Sequence, residues 1–283
     1  MATAENHLRL TDGSAKPIVI ALHCSGATGA EWRQLGQDLA GRFTLIAPDL
    51  IGCGKTAHWP GAHAFKLSDE AERIVQMIDA ADKPVHLVGH SYGGCVALRA
   101  AIERPSHVAS LTLYEPVALH VLRIMGPDGK KSLDGILAIA GNVNRFVLSG
   151  DYEGAAKFFF EYWNGTGSWS TIRREARDEF VRYIPKVCLE FSAAANERVP
   201  LHAYRALQFP ALLLQGEHAP EPTRLIVWQL ARAIRFATMQ TVYGAGHMGP
   251  YSHPAVVGAL IADWIARAVP GGVSAKINAT CAA

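Results

Sequence analysis

The chain has 283 residues, 49% hydrophobic and 18% charged, with a formal net charge of +2. This length allows one large domain or a core with an insertion, and the composition excludes an intrinsically disordered protein. Because no polybasic field exists, nucleic acid and acidic membrane surfaces are excluded as main partners, and we expect a small-molecule partner.

Short apolar runs alternate along the chain with longer helical patterns, which is typical of a mostly parallel sheet covered by helices. The predicted strands are residues 17–22, 44–48, 84–88, 108–114, 210–215 and 237–242. The predicted helices around them are residues 30–39, 68–81, 92–103 and 254–268. Ser68 is predicted to cap the second of these helices, with Glu70 in its first turn.

Between the fourth and fifth predicted strands, only helical patterns occur. They cover residues 133–148, 152–163 and 171–183. A stretch this long is too large for one crossover connection. We therefore predict an α/β fold with a mostly parallel, doubly wound sheet, in which residues 1–116 and 206–283 form the core. Residues 117–205 are predicted to form a helical cap over the carboxyl edge of the sheet.

The cysteines and the termini bear on the compartment. Five cysteines, an odd number with no CxxC pair, fit a reducing environment better than a disulfide framework. No signal peptide or membrane span is expected, so we predict a cytoplasmic protein. No pattern calls for a metal, flavin or nucleotide, and we expect no cofactor; nothing indicates an oligomeric state.

A candidate nucleophile lies in the segment Gly-His-Ser-Tyr-Gly, residues 89–93, which follows a predicted strand and opens a helix. This context favours a strand-to-helix turn that presents Ser91 above the sheet edge. The turn is crowded, and the glycines two residues before and two residues after the serine meet that demand. The alternative is an ordinary strand-to-helix turn that happens to contain serine.

The candidate base is His247, because a serine hydroxyl needs a base at neutral pH. His247 follows the last predicted strand in a glycine-rich loop that can reach the nucleophile. The other histidines are interpreted as packing or surface residues. Two backbone N–H groups should bind the oxyanion: that of Tyr92, and that of Ser25 in the loop after the first strand, with Cys24 as the alternative.

These motifs, together with Pro-Asp-Leu-Ile-Gly-Cys-Gly at residues 48–54, resemble the α/β-hydrolase fold superfamily over nearly the whole chain. The resemblance implies esterases, lipases, C–C bond hydrolases, peptidases or cofactor-free peroxidases. It also implies a triad acid in a Gly-x-x-Asp turn after the next-to-last strand. Here that turn reads Gly-Glu-His-Ala, with Ala219 where the aspartate is expected.

We place the acid at Glu115 instead, directly after the fourth strand, where some relatives that resemble haloalkane dehalogenases carry theirs. Glu217 and Glu221 are the competitors, and a surface role for Glu115 is the alternative. Cys24, His120 and Trp163 are candidate substrate contacts, and a packing role is the alternative for His120.

The predicted function is a serine hydrolase that cleaves a carboxylic ester of a small apolar substrate through an acyl-enzyme. C–C bond hydrolysis or perhydrolysis could use the same triad. A third hypothesis is a non-catalytic ligand receptor, in which the missing aspartate reflects lost catalysis.

Overall fold

The computed structural model describes residues 16–268, and the outer parts of the predicted core, residues 1–15 and 269–283, lie outside them. Six strands form one all-parallel sheet in the order β2-β1-β3-β4-β5-β6. They are β1 Ile18–Leu22, β2 Thr44–Ile46, β3 Val85–His90, β4 Val108–Tyr114, β5 Ala211–Gly216 and β6 Ala237–Val242. The six strands predicted from apolar runs are confirmed, and the third extends two residues further, to His90.

Helices cover both faces of the sheet. The helices of the core are α1 Arg33–Leu39, α2 Leu67–Asp79, α3 Ser91–Glu103, α8 Glu221–Ala233, α9 Gly249–Ser252 and α10 Pro254–Ala268. One apolar cluster lies between the sheet and α2, α3 and α8, and a second lies between the sheet and α1 and α10. The α/β class with a doubly wound parallel sheet is therefore confirmed.

Between β4 and β5 the chain forms four helices and no strand. They are α4 Gly126–Leu148, α5 Tyr152–Asn164, α6 Arg174–Asn196 and α7 Leu201–Arg205. Helix α6 runs well past the predicted end at residue 183 and continues through Pro185. Proline usually ends a helix because it lacks an N–H group, but here the buried face on both sides of Pro185 keeps the helix continuous.

The predicted cap of the second helix is wrong. Helix α2 begins at Leu67, one residue earlier, and Lys66 occupies the N-cap position. The Asp69 carboxylate accepts a hydrogen bond from the Lys66 backbone N–H at 2.7 Å, which makes a capping arrangement that does not need Ser68. Glu70 lies in the first turn, as predicted.

Two further findings concern the cysteines and the apolar character of the helices in the described residues. Within the described residues, Cys24, Cys53, Cys95 and Cys188 are all unpaired, whereas Cys281 lies outside them. No helix in residues 16–268 combines the length and the apolar character needed to cross a membrane.

Candidate active site

The turn between β3 and α3 presents Ser91 at the carboxyl edge of the sheet. Ser91 has a φ of +53°, a left-handed conformation that is uncommon outside glycine. A Cβ atom at Gly93 would overlap the carbonyl oxygens of Leu22 and His23, and one at Gly89 would lie 2.6 Å from the Gly93 carbonyl oxygen. Both flanking glycines are therefore required by the close approach of backbone, as the motif predicts.

His247 and Glu115 meet Ser91 in a continuous chain of hydrogen bonds. The distance from His247 Nε2 to Ser91 Oγ is 2.9 Å, and that from His247 Nδ1 to Glu115 Oε2 is 2.8 Å. All three are buried: Ser91 is 5% exposed, His247 2% and Glu115 0%. The structure thus brings together three side chains that are separated by up to 156 positions in the chain.

Glu115 is held in place by two further groups that donate hydrogen bonds to its carboxylate. Oε1 accepts a hydrogen bond from the Gly216 N–H at 2.8 Å, and Oε2 accepts one from the Thr223 hydroxyl at 2.7 Å. Its backbone has a φ of +41°, which is strained for a residue with a side chain. Thr223, which the sequence analysis did not single out, is therefore part of the support of this carboxylate.

The pairing of strands explains why Ser91 and Glu115 are neighbours. From His86 to His90, β3 pairs with β4 without a register shift, and His90 lies opposite Tyr114. Ser91 directly follows His90, and Glu115 directly follows Tyr114. Both residues therefore leave the sheet at the same edge. The Tyr114 hydroxyl also donates to the carbonyl oxygen of Gly246 at 2.7 Å, which fixes the loop before His247.

The competing acids lie elsewhere. Glu217 is half exposed, and its carboxylate accepts a hydrogen bond from the Gly244 N–H at 2.8 Å. Glu221 lies in the first turn of α8 and is exposed. Ala219 is buried in the turn where the resemblance implies an aspartate. Glu115 alone among these carboxylates contacts His247.

The local environment keeps His247 neutral and Glu115 ionised. Burial lowers the pKa of His247 below its ordinary value of 6.5, and the hydrogen bond that His247 donates to Glu115 only partly opposes this effect. For Glu115, burial works to raise the pKa. The hydrogen bonds from His247, Gly216 and Thr223 outweigh it, so the pKa lies below its ordinary value. A neutral imidazole is the form that can accept the serine proton.

This shift leads to an expected pH profile. The rate of ester hydrolysis requires neutral His247, so kcat/KM is lost only as the pH falls through the lowered pKa of His247. We expect an acidic limb with an apparent pKa below 6.5, measured by pH-stat with an uncharged ester. Replacing the exposed His218 with glutamine should leave the limb where it is. An apparent pKa at or above 6.5 would contradict the assignment.

The candidate oxyanion donors differ in whether their backbone N–H groups already donate a hydrogen bond within the protein. Tyr92 is the second residue of α3, where backbone N–H groups have no partner within the helix. The Cys24 N–H donates to Glu31 Oε2 at 2.8 Å, so it is committed to a carboxylate. Ser25 lines the cavities beside Ser91. Of the two alternatives in this loop, the geometry favours the Ser25 N–H.

A second buried histidine–carboxylate pair, His90 with Glu31, lies next to the site. From the sequence, His90 was interpreted as a packing or surface residue, and Glu31 was not singled out. His90 Nδ1 lies 2.6 Å from Glu31 Oε1, and His90 Nε2 lies 2.9 Å from the His247 carbonyl oxygen. A carbonyl oxygen can only accept, so His90 Nε2 carries a proton. The pair thereby holds the backbone of His247, next to the Gly246 carbonyl that Tyr114 binds.

Cys24, Glu31 and His90 also form a group whose potential ligand atoms all lie within 4.8 Å of one another. The hydrogen bonds just described occupy the histidine nitrogens and the carboxylate. Burial raises the pKa of the Cys24 thiol well above its usual value, so the thiolate that a metal would need is disfavoured. This donor set is that of a hydrogen-bonded cluster rather than a metal centre.

Of the three residues predicted to contact the substrate, two line a cavity beside Ser91 and one does not. Trp163 lies between the cap and the core, and its ring stacks on that of His247 with centroids 4.0 Å apart. Cys24 and Trp163 both line a cavity of about 400 Å³ beside Ser91 and His247. His120 lines neither of the cavities beside Ser91. Its Nε2 forms a 2.6 Å hydrogen bond with the Tyr204 hydroxyl, and burial lowers its pKa to about 4, so the expectation of a substrate contact is corrected to a structural role.

Comparison with known proteins assigns the family. A model described as "Alpha/beta hydrolase family" matches residues 19–260, which is most of the chain. The chain belongs to the alpha/beta hydrolase family. Residues 117–205, Ser91 and His247 all fall within the matched residues.

Two curated relatives are similar in sequence. The lipase LipV of Mycobacterium tuberculosis is 30% identical over 168 residues, and the alignment spans only 59% of this chain and 56% of the lipase. The putative carbamate hydrolase RutD of Variovorax paradoxus is 27% identical over 264 residues, spanning 88% of this chain and 92% of that protein.

A solved structure is similar in fold. A thermophilic esterase from Thermogutta terrifontis has a TM-score of 0.66 at 21% identity, covering 89% of this chain and 90% of the esterase. At this identity the likeness shows the fold alone, whereas the family match makes this chain an alpha/beta hydrolase.

Proposed function

We propose that this alpha/beta hydrolase is a serine hydrolase that cleaves a carboxylic ester of a small, apolar molecule through an acyl-enzyme. The observation that carries the proposal is the hydrogen-bonded chain from Ser91 Oγ through His247 to Glu115. A buried serine, a neutral base and an ionised acid in this order are the components of nucleophilic acyl transfer.

In the proposed reaction, His247 Nε2 takes the proton of Ser91 Oγ while the oxygen bonds to the ester carbonyl carbon. The carbonyl electron pair becomes an oxyanion, which the backbone N–H groups of Tyr92 and Ser25 bind. Collapse of the tetrahedral intermediate expels the alcohol, which takes the proton from His247. Water then attacks the acyl-enzyme by the same route, which releases the carboxylic acid and restores Ser91.

The cavity supports an apolar substrate. Aromatic and aliphatic side chains supply much of its wall, including Phe159, Phe160, Trp163, Phe180, Met248 and Tyr251. A volume of about 400 Å³ suits a small molecule. None of the described residues that line it is a lysine or an arginine, so an ester is favoured over a substrate that carries a carboxylate, as many diketone acids do.

The proposal is tested by covalent labelling. A fluorophosphonate probe reacts with an activated serine but not with an ordinary hydroxyl, and we expect a single adduct on the peptide that contains Ser91, identified by mass spectrometry. Heat-unfolded protein is the control and should stay unlabelled. Absence of the adduct in folded protein would exclude the serine mechanism and favour a non-catalytic receptor.

A further inference from the structure

A buried carboxylate of the cap is not used by the mechanism above. Glu190, on α6, is 2% exposed. Its Oε1 atom accepts hydrogen bonds from the Tyr183 hydroxyl and from Lys186 Nζ, the latter at 3.1 Å. Its Oε2 atom is buried and has no hydrogen-bond partner among the described residues. Leaving one oxygen of a buried carboxylate without a partner is costly, and such groups in native proteins require an explanation.

The network around Glu190 fixes it relative to the core. Lys186 Nζ also binds Glu70 Oε2 at 2.9 Å, and Glu70 Oε1 accepts the N–H of Ile51 at 2.6 Å. Helix α6 of the cap is thereby joined to α2 of the core. The cluster contains one ammonium and two carboxylic groups, so it offers hydrogen-bond acceptors and disfavours an additional anion.

Glu190 lines a second, small cavity of about 20 Å³ beside the nucleophile. Ser25, Ser91 and Tyr92 lie in the same wall. The rest of the lining is apolar: Val117, Leu119, Phe159, Trp163, Val187, Phe191 and Ala194. A cavity of this size admits a group of only a few atoms, with Glu190 as its charged acceptor.

The position of His247 indicates which part of a substrate enters each cavity. His247 lines the larger cavity and does not line the small one. In acyl transfer the leaving alcohol must take its proton from this histidine, so the alcohol lies in the larger cavity. Ser25 and Ser91 line both cavities, but Tyr92 lines only the small one, which therefore adjoins both proposed oxyanion donors and is assigned to the acyl group.

We propose that Glu190 accepts a hydrogen bond from an N–H or O–H group on a short acyl chain, and that it selects substrates whose acyl group carries such a donor. The hydroxyacetyl group is the simplest member of this class. The inference rests on the proposed function, because it assigns the acyl side of the same site.

The first test uses the unmodified protein and two esters of nearly equal size. Phenyl hydroxyacetate and phenyl propionate differ by a hydroxyl in place of a methyl group. The ratio of their kcat/KM values is divided by the ratio of their rate constants for hydrolysis by hydroxide, which removes intrinsic reactivity. We expect a corrected preference for the hydroxyacetyl ester of about tenfold or more, since a hydrogen bond to a charged acceptor commonly contributes this much. A corrected ratio near one would overturn the proposal.

The second test changes the acceptor without changing its shape. In Glu190→Gln, the amide oxygen must stay where Oε1 lies, because Tyr183 and Lys186 both donate to that atom. The amide NH₂ group then takes the place of the unpartnered Oε2 and offers a donor where the wild type offers an acceptor. We expect the corrected preference to fall to one or below, whereas a merely structural role for Glu190 would lower both rates and leave their ratio unchanged, which would overturn the proposal.

Glu175→Gln is the matched control, because Glu175 is an exposed glutamate in the first turn of the same helix. It should keep the wild-type ratio. Fluorophosphonate labelling distinguishes a failure of the proposed function from a failure of the role proposed for Glu190. An unlabelled wild type would overturn the proposed function and this inference with it, whereas a labelled wild type with no acyl preference overturns only the role of Glu190.

Discussion

Ser91→Ala is expected to reduce kcat/KM for phenyl propionate by about 10⁵-fold or more, because it removes the atom that forms the acyl-enzyme. The residual rate should reflect the oxyanion donors and binding alone. The strained backbone at Ser91 does not require the hydroxyl, so alanine should leave the fold intact, and thermal unfolding should show a midpoint close to that of the wild type.

A matched control for this variant is Ser106→Ala. Ser106 is exposed in the short turn after α3 and lies in neither cavity beside Ser91. It should retain the wild-type kcat/KM. If Ser91→Ala kept more than about a tenth of the wild-type rate, the nucleophile would have to be a different group, since losses at a nucleophile are far larger than tenfold.

Glu115→Gln is expected to cost about 10³- to 10⁴-fold in kcat with little change in KM, by analogy with the loss seen when a triad acid becomes an amide. The reason lies in the donors around the carboxylate. The Gly216 N–H can only donate, so the amide oxygen of the glutamine should turn towards it. The NH₂ group then faces His247 Nδ1, which must accept, and the proton of the ring moves to Nε2. In that tautomer the histidine cannot take the proton of Ser91.

Glu217→Gln separates the two candidate acids. Glu217 binds the Gly244 N–H and makes no contact with His247, so we expect less than a few-fold change in kcat. Steady-state kinetics of the two variants side by side decide the matter. A large loss in Glu217→Gln with a small one in Glu115→Gln would move the acid to the turn after β5.

Much of this fold could be predicted because its signals are local. Each buried parallel strand is a short apolar run between turn residues, and the crowded turn at Ser91 requires glycines at set spacings. The histidine loop was recognisable for the same reason, since its glycines lie next to a strand end. Patterns of this kind depend on a residue and its near neighbours in sequence.

The parts that escaped prediction depend on contacts between distant segments. Nothing near Glu31 in the sequence indicates that its carboxylate meets His90, 59 positions away, behind the site. Glu190 did carry a weak signal, namely a carboxylate in an apolar helical stretch with Lys186 four residues before it. Its unpartnered oxygen, however, emerges only when α6 packs against the core.

The in-register pairing of β3 with β4 has a consequence for motion at the site. Ser91 follows His90 and Glu115 follows Tyr114, and these two preceding residues pair with each other in the middle of the sheet. His247, in contrast, comes from the loop after β6, the outermost strand. Local opening usually begins at such edges, so fraying there would withdraw the histidine while nucleophile and acid keep their spacing. Activity would then be lost before the sheet melts, and it would return without refolding once the edge closes.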